Sequence, residues 1–248
     1  MAIPKAIIVP ARLRSVRFPR KLLHPVAGVP LVLRTARRIR AECPETPLVF
    51  ATAEEELAAV LGDDGFETVA TDPALASGSD RIAAANETVG AAAVVNVQAD
   101  EPLVSRAQIE ALFARIDGGA EMSTLAVRLA DPGRVRDPAQ VKVVRDRTGR
   151  ALYFSRAPIP WARDHGGVPP ARELAEVEVL GHLGLYGYRA DFLARFVSMA
   201  PSPLEKAEKL EQLRALENGA RIEVGLTEEP TVGVDTPEDI ARLERIVG

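Results

Sequence analysis

Cysteine is almost absent from this sequence, and a long apolar run is absent altogether. The 248 residues include one cysteine, Cys43, which excludes an intramolecular disulfide and by itself indicates nothing about redox chemistry. No apolar run reaches the roughly 18 residues that a membrane span needs, and the first residues do not have the pattern of a signal peptide. We therefore expect a cytoplasmic protein without a membrane partner.

An excess of positive charge is also lacking. The formal net charge is −4 at pH 7, from 31 Lys and Arg against 35 Asp and Glu. Nucleic-acid-binding domains usually carry a basic footprint, so the composition argues against a nucleic-acid partner. The 47% hydrophobic and 27% charged residues instead suit one large α/β domain, or such a domain with a smaller lobe.

Strand and helix patterns alternate between residues 5 and 116. Ala6–Val9 is a short apolar run of the kind found in buried strands, whereas Val29–Arg40 spaces its apolar residues as a helix does. The alternation predicts an α/β, Rossmann-like fold with a mainly parallel sheet and helices on both faces. The other strands predicted in this half are 47–52, 66–71 and 92–97, and the other helices are 53–61, 77–89 and 105–116.

This alternation stops after residue 116. Residues 141–145 and 151–155 flank a short turn and predict a hairpin, and residues 157–175 contain four prolines, which predicts an extended arm. We interpret about 131–190 as a smaller α+β lobe. The remaining predicted strands are 122–129, 182–189 and 221–226, and the remaining helices are 191–199, 202–216 and a last one from 236.

A cluster of positive charge follows the first predicted strand. It consists of Arg12, Arg14, Arg17, Arg20 and Lys21, all within ten residues. Ligands of parallel α/β sheets bind beyond the carboxyl ends of the strands, so this loop suits a small anion such as polyphosphate. A solvated basic loop is the alternative. A dinucleotide-dependent oxidoreductase also fits the alternation, but the first turn lacks the G-x-G-x-x-G glycines.

An acidic turn follows the predicted strand 92–97. Gln98, Asp100 and Glu101 come at its carboxyl end and should therefore point toward the same crevice. A carboxylate beside a polyphosphate would repel it, so Asp100 in that place implies a bridging cation. Mg²⁺ is the expected one, because it binds one or two carboxylates together with phosphate oxygens and water. An exposed acidic loop is the alternative.

Asp235 precedes the last predicted helix and has no obvious structural task. Thr236 and Asp239 already suit the cap of that helix, and helix-terminus electrostatics is the alternative role for Asp235. Asp235 is therefore surplus to the cap, and the residues alone assign it no further role.

Motifs along the whole chain resemble the CMP-sugar synthetase family. The opening stretch from Pro10 to Leu23 matches that family's P-A-R-x-x-S-x-R-x-P-x-K-x-L. Further motifs in the family's order are S-G-S-D-R at 77–81, V-N-V-Q-A-D-E-P at 95–102, Y-F-S-R at 153–156, H-L-G-L-Y-G-Y-R at 182–189, L-E-Q-L-R at 210–214 and V-D-T-P-E-D at 234–239. The resemblance covers residues 5 to about 245 and is closest to members that activate 3-deoxy-manno-octulosonate (Kdo).

The resemblance implies one nucleotidyltransferase domain over residues 1–248, which joins CTP to a sugar acid, with Mg²⁺ as cofactor and pyrophosphate as the second product. The implied nucleotide contacts are Pro10, Ala11, Arg12, Arg17, Lys21, Ser77, Gly78 and Arg81. The implied sugar contacts are Gln98, Arg156, His182, Tyr186, Glu211 and Gln212. Asp100 and Asp235 are the implied metal ligands and, with Lys21, the implied catalytic residues. Arg156 is the implied partner of the sugar carboxylate, which a guanidinium can bind bidentately.

Members of this family are homodimers, so the resemblance also implies that the lobe at 131–190 contributes sugar-binding and dimer contacts. Two other functions stay open at this point: activation of a different ulosonic acid, and a non-catalytic nucleotide-sugar binding protein. The two candidate metal-binding carboxylates argue against the second. The chain departs from the family at Arg20 and Ala99, where Gly is usual, and at Leu75 and Ala76, where the family has polar residues.

Overall fold

A computed structural model describes residues 4–15, 17–231 and 233–247 of the protein. The strands are β1 (Lys5–Pro10), β2 (Pro25–Val26), β3 (Val29–Pro30), β4 (Leu48–Thr52), β5 (Glu67–Ala70), β6 (Ala93–Asn96), β7 (Met122–Arg128), β8 (Lys142–Arg145), β9 (Ala151–Ser155), β10 (Leu180–Arg189) and β11 (Ile222–Leu226). The helices are α1 (Leu31–Glu42), α2 (Glu55–Asp63), α3 (Gly78–Val89), α4 (Arg106–Asp117), α5 (Pro132–Arg136), α6 (Ala171–Val177), α7 (Ala190–Ser198), α8 (Pro203–Glu208), α9 (Gln212–Glu217) and α10 (Pro237–Val247). No described helix is both long enough and apolar enough to cross a membrane.

The central sheet is mixed and has the strand order β11-β7-β10-β6-β1-β4-β5. Strands β6, β1, β4 and β5 are parallel to one another, and β11 is parallel to β7. The exception is β10, which is antiparallel to both β7 and β6. The predicted α/β fold with a largely parallel sheet is therefore confirmed.

Strand β1 shows why the sheet is covered on both faces. Its residues Ala6 to Val9 are all fully buried, and successive side chains of a strand point to opposite faces. Ile7 and Val9 pack in the core formed with α1 and α4, whereas Ala6 and Ile8 pack in the core formed with α3 and α7. A run without polar alternation is what such a central strand requires.

The β8–β9 hairpin joins the sheet through the first residues of β10. Leu180 and Gly181 pair with β8, and Tyr186 to Arg189 at the other end of β10 pair with β6. As a result, β10 connects the hairpin to the centre of the sheet. The division of the chain into a main domain and a lobe at 131–190 stays a prediction.

Most predicted elements occur within two residues of their expected ends, but the single helix predicted at 202–216 is wrong. The chain forms two short helices there, α8 and α9, because Lys209 adopts a left-handed conformation with φ 55° and ends α8. Ser202 and Glu205 make the predicted capping box at the start of α8. The break directs the residues at the start of α9 into a cavity. The arm at 157–175 is also less extended than predicted, because α6 begins at Ala171.

Candidate active site

The carboxyl ends of β1 and β6 open onto a cavity of about 920 Å³. Its wall is formed by the cationic loop after β1, by Gln98 to Asp100 after β6, by the start of α3 and by Asp235. This is the position at which parallel α/β sheets leave room for a ligand. The loop and the acidic turn, which the sequence analysis placed at one crevice, thus do share one cavity.

A second cavity of about 500 Å³ adjoins the first. Gly78, Gln98 and Asp235 line both cavities, so they mark the point at which the two meet. The walls of the second cavity come from β10 and from the segment between α8 and α9. Two ligands bound side by side would therefore be in contact at Asp235.

Lys21 lies at this junction, on a single 3-10 turn over Lys21–Leu23. Its Nζ donates hydrogen bonds to an Asp100 carboxylate oxygen, to Val234 O at 2.7 Å and to Asp235 Oδ1 at 3.0 Å. Burial opposes the charge of the ammonium, but the two aspartates outweigh it and raise the pKa of Lys21. The side chain therefore stays cationic.

A backbone contact brings the two aspartates together. The N–H of Val234 donates to the carbonyl of Asp100 at 3.1 Å, which fixes the segment before α10 against the turn after β6. Asp239 accepts from Thr236 N at 2.8 Å and from Asp235 N at 3.0 Å, and donates its own N–H to Thr236 Oγ1 at 3.4 Å. The carboxylate of Asp235 is not needed for this cap. The second carboxylate oxygen of Asp235, Oδ2, lies 2.8 Å from Nη2 of Arg17.

The donor set at this point fits a small divalent cation. Two carboxylates and the Val234 carbonyl converge on the Lys21 ammonium, which stands in for a positive ion there. Hard oxygen donors of this kind are those that Mg²⁺ prefers, and Mg²⁺ usually completes its shell with phosphate oxygens and water. No group of three or more His, Cys, Asp or Glu that could hold a metal occurs among the described residues, so the protein alone offers only a partial shell.

Sequence comparisons identify the family. Residues 6–222 match the family model for cytidylyltransferases. The chain is 44% identical to the 3-deoxy-manno-octulosonate cytidylyltransferase of Leptothrix cholodnii, with 100% of this chain and 93% of the relative covered. It is 43% identical to the enzyme of the same name from Syntrophotalea carbinolica, with 96% of each chain covered. The chain belongs to the cytidylyltransferase family.

Solved structures agree with this assignment. The structure of CMP:2-keto-3-deoxy-manno-octonic acid synthetase complexed with CTP matches with a TM-score of 0.89 at 30% identity, over 98% of both chains. A glucose-1-phosphate thymidylyltransferase from Bacillus anthracis matches with a TM-score of 0.64 at 16% identity and shares the fold alone. The resemblance found in the motifs is confirmed, and this cytidylyltransferase is accordingly an enzyme of the nucleotidyltransferase class.

The larger cavity is lined by nearly all the residues expected to contact nucleotide. They are Pro10, Ala11, Arg12, Arg17, Lys21, Gly78 and Arg81. Ser77 is the exception, because its hydroxyl accepts from Asp80 N at 3.1 Å and caps α3. A Cβ at Gly78 would lie 3.4 Å from the Pro10 side chain, an ordinary van der Waals contact.

The smaller cavity is lined by most of the residues expected to contact the sugar: Gln98, His182, Tyr186, Glu211 and Gln212. Arg156 is not brought to this wall. Its Nε donates to Glu208 O at 2.8 Å and its Nη1 to Pro138 O at 3.0 Å. These backbone partners direct the guanidinium away from the cavity, and its role on the sugar carboxylate stays a prediction that the geometry does not favour.

The polar side chains of the smaller cavity differ in how well they are satisfied. His182 is buried, which lowers its pKa to about 3, so the ring is neutral. Nε2 of this ring lies 2.9 Å from Thr124 Oγ1. Glu211 accepts from Ser79 Oγ at 2.7 Å. The amide nitrogen of Gln212 is buried and has no partner among the described residues. Buried donors are nearly always paired, so this nitrogen is available to a polar group that enters the cavity.

Tyr186 combines a core and a cavity position. Its ring lies 5.5 Å from the ring of His182 and stacks on Tyr188 at 6.0 Å. Burial, with smaller effects of Tyr188 and Glu211, raises the pKa of Tyr186 well above its usual value. The phenol therefore stays protonated and can donate a hydrogen bond.

Three charged residues of the smaller cavity were not assigned a binding or catalytic role from the sequence. Glu101 is buried beside Asp100, and burial followed by repulsion from that carboxylate raises the pKa of Glu101 to about 8. Its place in the V-N-V-Q-A-D-E-P motif could have suggested it. Arg134 and Lys209 also line the cavity. No sequence signal indicated them, because α5 was not predicted and Lys209 was placed inside a continuous helix.

Proposed function

We propose that this enzyme transfers CMP from CTP to the anomeric hydroxyl of a 3-deoxy ulosonic acid, above all Kdo, and releases pyrophosphate. The observation that carries the proposal is the junction of two cavities at Asp235, beside the paired Asp100 and Lys21. One cavity has cationic walls and the other has hydroxyl-binding groups. Relatives that share 42–44% of the sequence are named as enzymes of this reaction.

The larger cavity suits the nucleotide. Arg12, Arg17 and Lys21 supply positive charge for a triphosphate, and such charge-assisted contacts are stronger than neutral ones. Phosphoryl and nucleotidyl transfer ask little covalent chemistry of the protein, so catalysis consists of positioning and charge neutralisation. The cations of the loop would offset the charge that develops on the leaving pyrophosphate.

The smaller cavity suits the sugar. Glu211 and Gln212 offer an acceptor and a donor for hydroxyls, and the neutral His182 adds a further polar contact. A sugar held there would direct its anomeric hydroxyl to the junction at Gln98 and Asp235. That position is where a hydroxyl can attack the α-phosphorus in line with the departing pyrophosphate.

Mg²⁺ is the proposed cofactor, with Asp100, Asp235 and the Val234 carbonyl as its protein ligands. When bound, Mg²⁺ neutralises phosphate charge and lowers the pKa of a bound hydroxyl. With a cation held there, Lys21 would leave the oxygens that it binds in the free protein. Its charge would then be available to the phosphates in the same cavity, which is why we count Lys21 among the catalytic residues.

We also propose that the protein is a homodimer whose contacts come from the segment 131–190. Leu152 on β9 and Trp161 in the arm are 61% and 66% exposed, and both belong to this segment. Large apolar side chains of such exposure are candidates for an interface between copies of one chain. A cytoplasmic location likewise stays a prediction.

Pyrophosphate release tests the proposed reaction. Purified enzyme with CTP and Mg²⁺ should release pyrophosphate rapidly when Kdo is added, and much more slowly with other sugar acids such as N-acetylneuraminate. Asp235→Asn enzyme is the matched control for contaminating activity. Release with a different ulosonic acid only would correct the substrate, and no release with any sugar acid would refute the function.

A further inference from the structure

Lys142 is a buried cation that the reaction does not use. It is the first residue of β8 and is fully buried. No carboxylate lies within ion-pair distance of it among the described residues. Its Nζ donates instead to three backbone carbonyls, those of Asp137 at 2.9 Å, Gln140 at 2.7 Å and Arg156 at 2.5 Å. The three protons of an ammonium match these three acceptors.

One of these carbonyls belongs to a residue in a wall of the smaller cavity, Gln140. Residues 139–141 line that cavity, and the carbonyl of Gln140 is one of the three that Lys142 binds. The side-chain amide of Gln140 connects this loop to β10, because its Nε2 donates to His182 O at 3.2 Å. Lys142 thus fixes the loop between α5 and β8 against the strand that carries His182.

The carbonyl of Arg156 connects Lys142 to the opposite wall of the smaller cavity. Ser155 Oγ donates to Glu208 Oε1 at 2.6 Å, and Arg156 N donates to Glu208 Oε2 at 2.9 Å. Glu208 is the last residue of α8, directly before the segment Lys209–Gln212 that lines the cavity. A continuous set of hydrogen bonds therefore runs from Lys142 through Arg156 to Glu208 and connects the two walls.

We propose that Lys142 and Glu208 are positioning residues that fix the separation of the two walls and so determine how well the sugar binds. Neither residue lines the cavity, so each acts through the segments that it holds. Removal of the Lys142 ammonium leaves three partly buried carbonyls without this donor, and such groups relax toward water or new partners. The inference rests on the proposed function, because it assigns the smaller cavity to the sugar.

The two substrates provide the test. In Lys142→Met and in Glu208→Gln enzyme, KM for Kdo should rise about tenfold or more, a factor of ten corresponding to ~1.4 kcal/mol. KM for CTP should stay within about twofold, and kcat at saturating Kdo should fall much less than kcat/KM for Kdo. Glu208→Gln keeps the shape of the side chain but turns one of its two acceptors into a donor. Lys206→Met, an exposed change on the same helix, is the control and should change neither KM.

Hydrogen exchange supplies a second measurement that does not depend on the substrate. Backbone amides of 134–141 and 208–212 should exchange faster in both variants, whereas those of the loop 10–21 should not. Equal rises in both KM values, or unchanged KM values and unchanged exchange in a folded variant, would overturn the inference. Should Lys142→Met fail to fold, Glu208→Gln decides. Should the wild-type enzyme use no sugar acid, the proposed function fails and the exchange pattern alone decides on the positioning role.

Discussion

Nζ of Lys21 lies 3.0 Å from Oδ1 of Asp235 and at the same time donates to Asp100 and to Val234 O at 2.7 Å. The ammonium therefore occupies the point at which two carboxylates and a carbonyl converge. A divalent cation and the lysine cannot share this point. Binding of the proposed metal ion would therefore require the release of Lys21 from these oxygens.

Lys21→Ala should strengthen metal binding in the absence of nucleotide while it weakens catalysis. Without the competing ammonium, Mn²⁺ affinity should rise about tenfold or more, which electron paramagnetic resonance of free Mn²⁺ would measure. The same change should lower kcat/KM for CTP by more than about tenfold, since a charge-assisted contact is worth ~1.5–3 kcal/mol. Arg40→Ala, on the exposed face of α1, is the control. Mn²⁺ affinity that is unchanged or weaker in Lys21→Ala would show that the lysine does not exclude metal.

Asp235→Asn should abolish most activity and leave the fold intact. Thr236 and Asp239 cap α10 without it, so the free energy of unfolding should change by under ~1 kcal/mol. The loss of one carboxylate from the proposed metal should lower kcat by at least ~100-fold, with partial rescue by raised Mg²⁺ or by Mn²⁺. Asp100→Asn should behave alike, and the double variant should be little worse than either.

Thr236→Ala is the matched control for Asp235. It removes the cap and should lower the free energy of unfolding by ~1 kcal/mol, which chemical denaturation would measure. Steady-state assays of the same preparation should show little change in kcat. A fully active Asp235→Asn enzyme, or one that is inactive only because it unfolds, would place the metal site elsewhere.

Arg20→Gly should be tolerated, whereas Glu56→Gln should lower the thermal midpoint. Arg20 has φ 58°, a left-handed conformation that glycine adopts without strain. Its guanidinium binds both oxygens of Glu56, at 2.6 and 2.8 Å. Glycine loses this contact but also the strain, so Tm should stay within about 3 °C of wild type or rise. Glu56→Gln keeps the backbone strain at Arg20 and weakens the ion pair that offsets this strain. Calorimetry in which Arg20→Gly is the less stable of the two would contradict this account.

The protein should sediment as a dimer at micromolar concentration. Trp161→Glu places a charge on an apolar side chain that is 66% exposed, and should shift the equilibrium toward monomer if this surface is the interface. Ile246→Glu is the matched control, because Ile246 is 53% exposed but lies on α10, outside the segment 131–190. A wild-type protein that sediments only as monomer would refute the proposed dimer.

His182 should make the free energy of unfolding decrease as the pH is lowered. Burial lowers its pKa from 6.5 to about 3, so between these values the unfolded chain binds a proton that the folded chain does not, and the free energy of unfolding rises with pH. From pH 7 to pH 5 wild type should lose about 2 kcal/mol through this group. His182→Asn should lack that part of the pH dependence in urea unfolding. Parallel pH profiles for the two proteins would show that His182 titrates normally.

The sequence by itself determined most of the elements and which residues lie at the larger cavity. Helix and strand periodicity arise from local sterics and from the need to bury one face or both, so the ends of most elements were predictable from neighbouring residues. The cationic loop after β1 and the acidic turn after β6 were likewise placed at one crevice, because the carboxyl ends of parallel strands share one edge of the sheet. Asp235 was singled out because Thr236 and Asp239 already filled the helix cap.

Tertiary structure alone decided the geometry of the smaller cavity. Strand β10 pairs with β7 and β6, and Arg156 binds the carbonyls of Pro138 and Glu208. These partners are far away in the chain. The raised pKa of Glu101 and the burial of Lys142 have the same origin. Periodicity reports which face of a segment is apolar, but desolvation and the pairing of buried polar groups are set by segments that meet only in the folded chain.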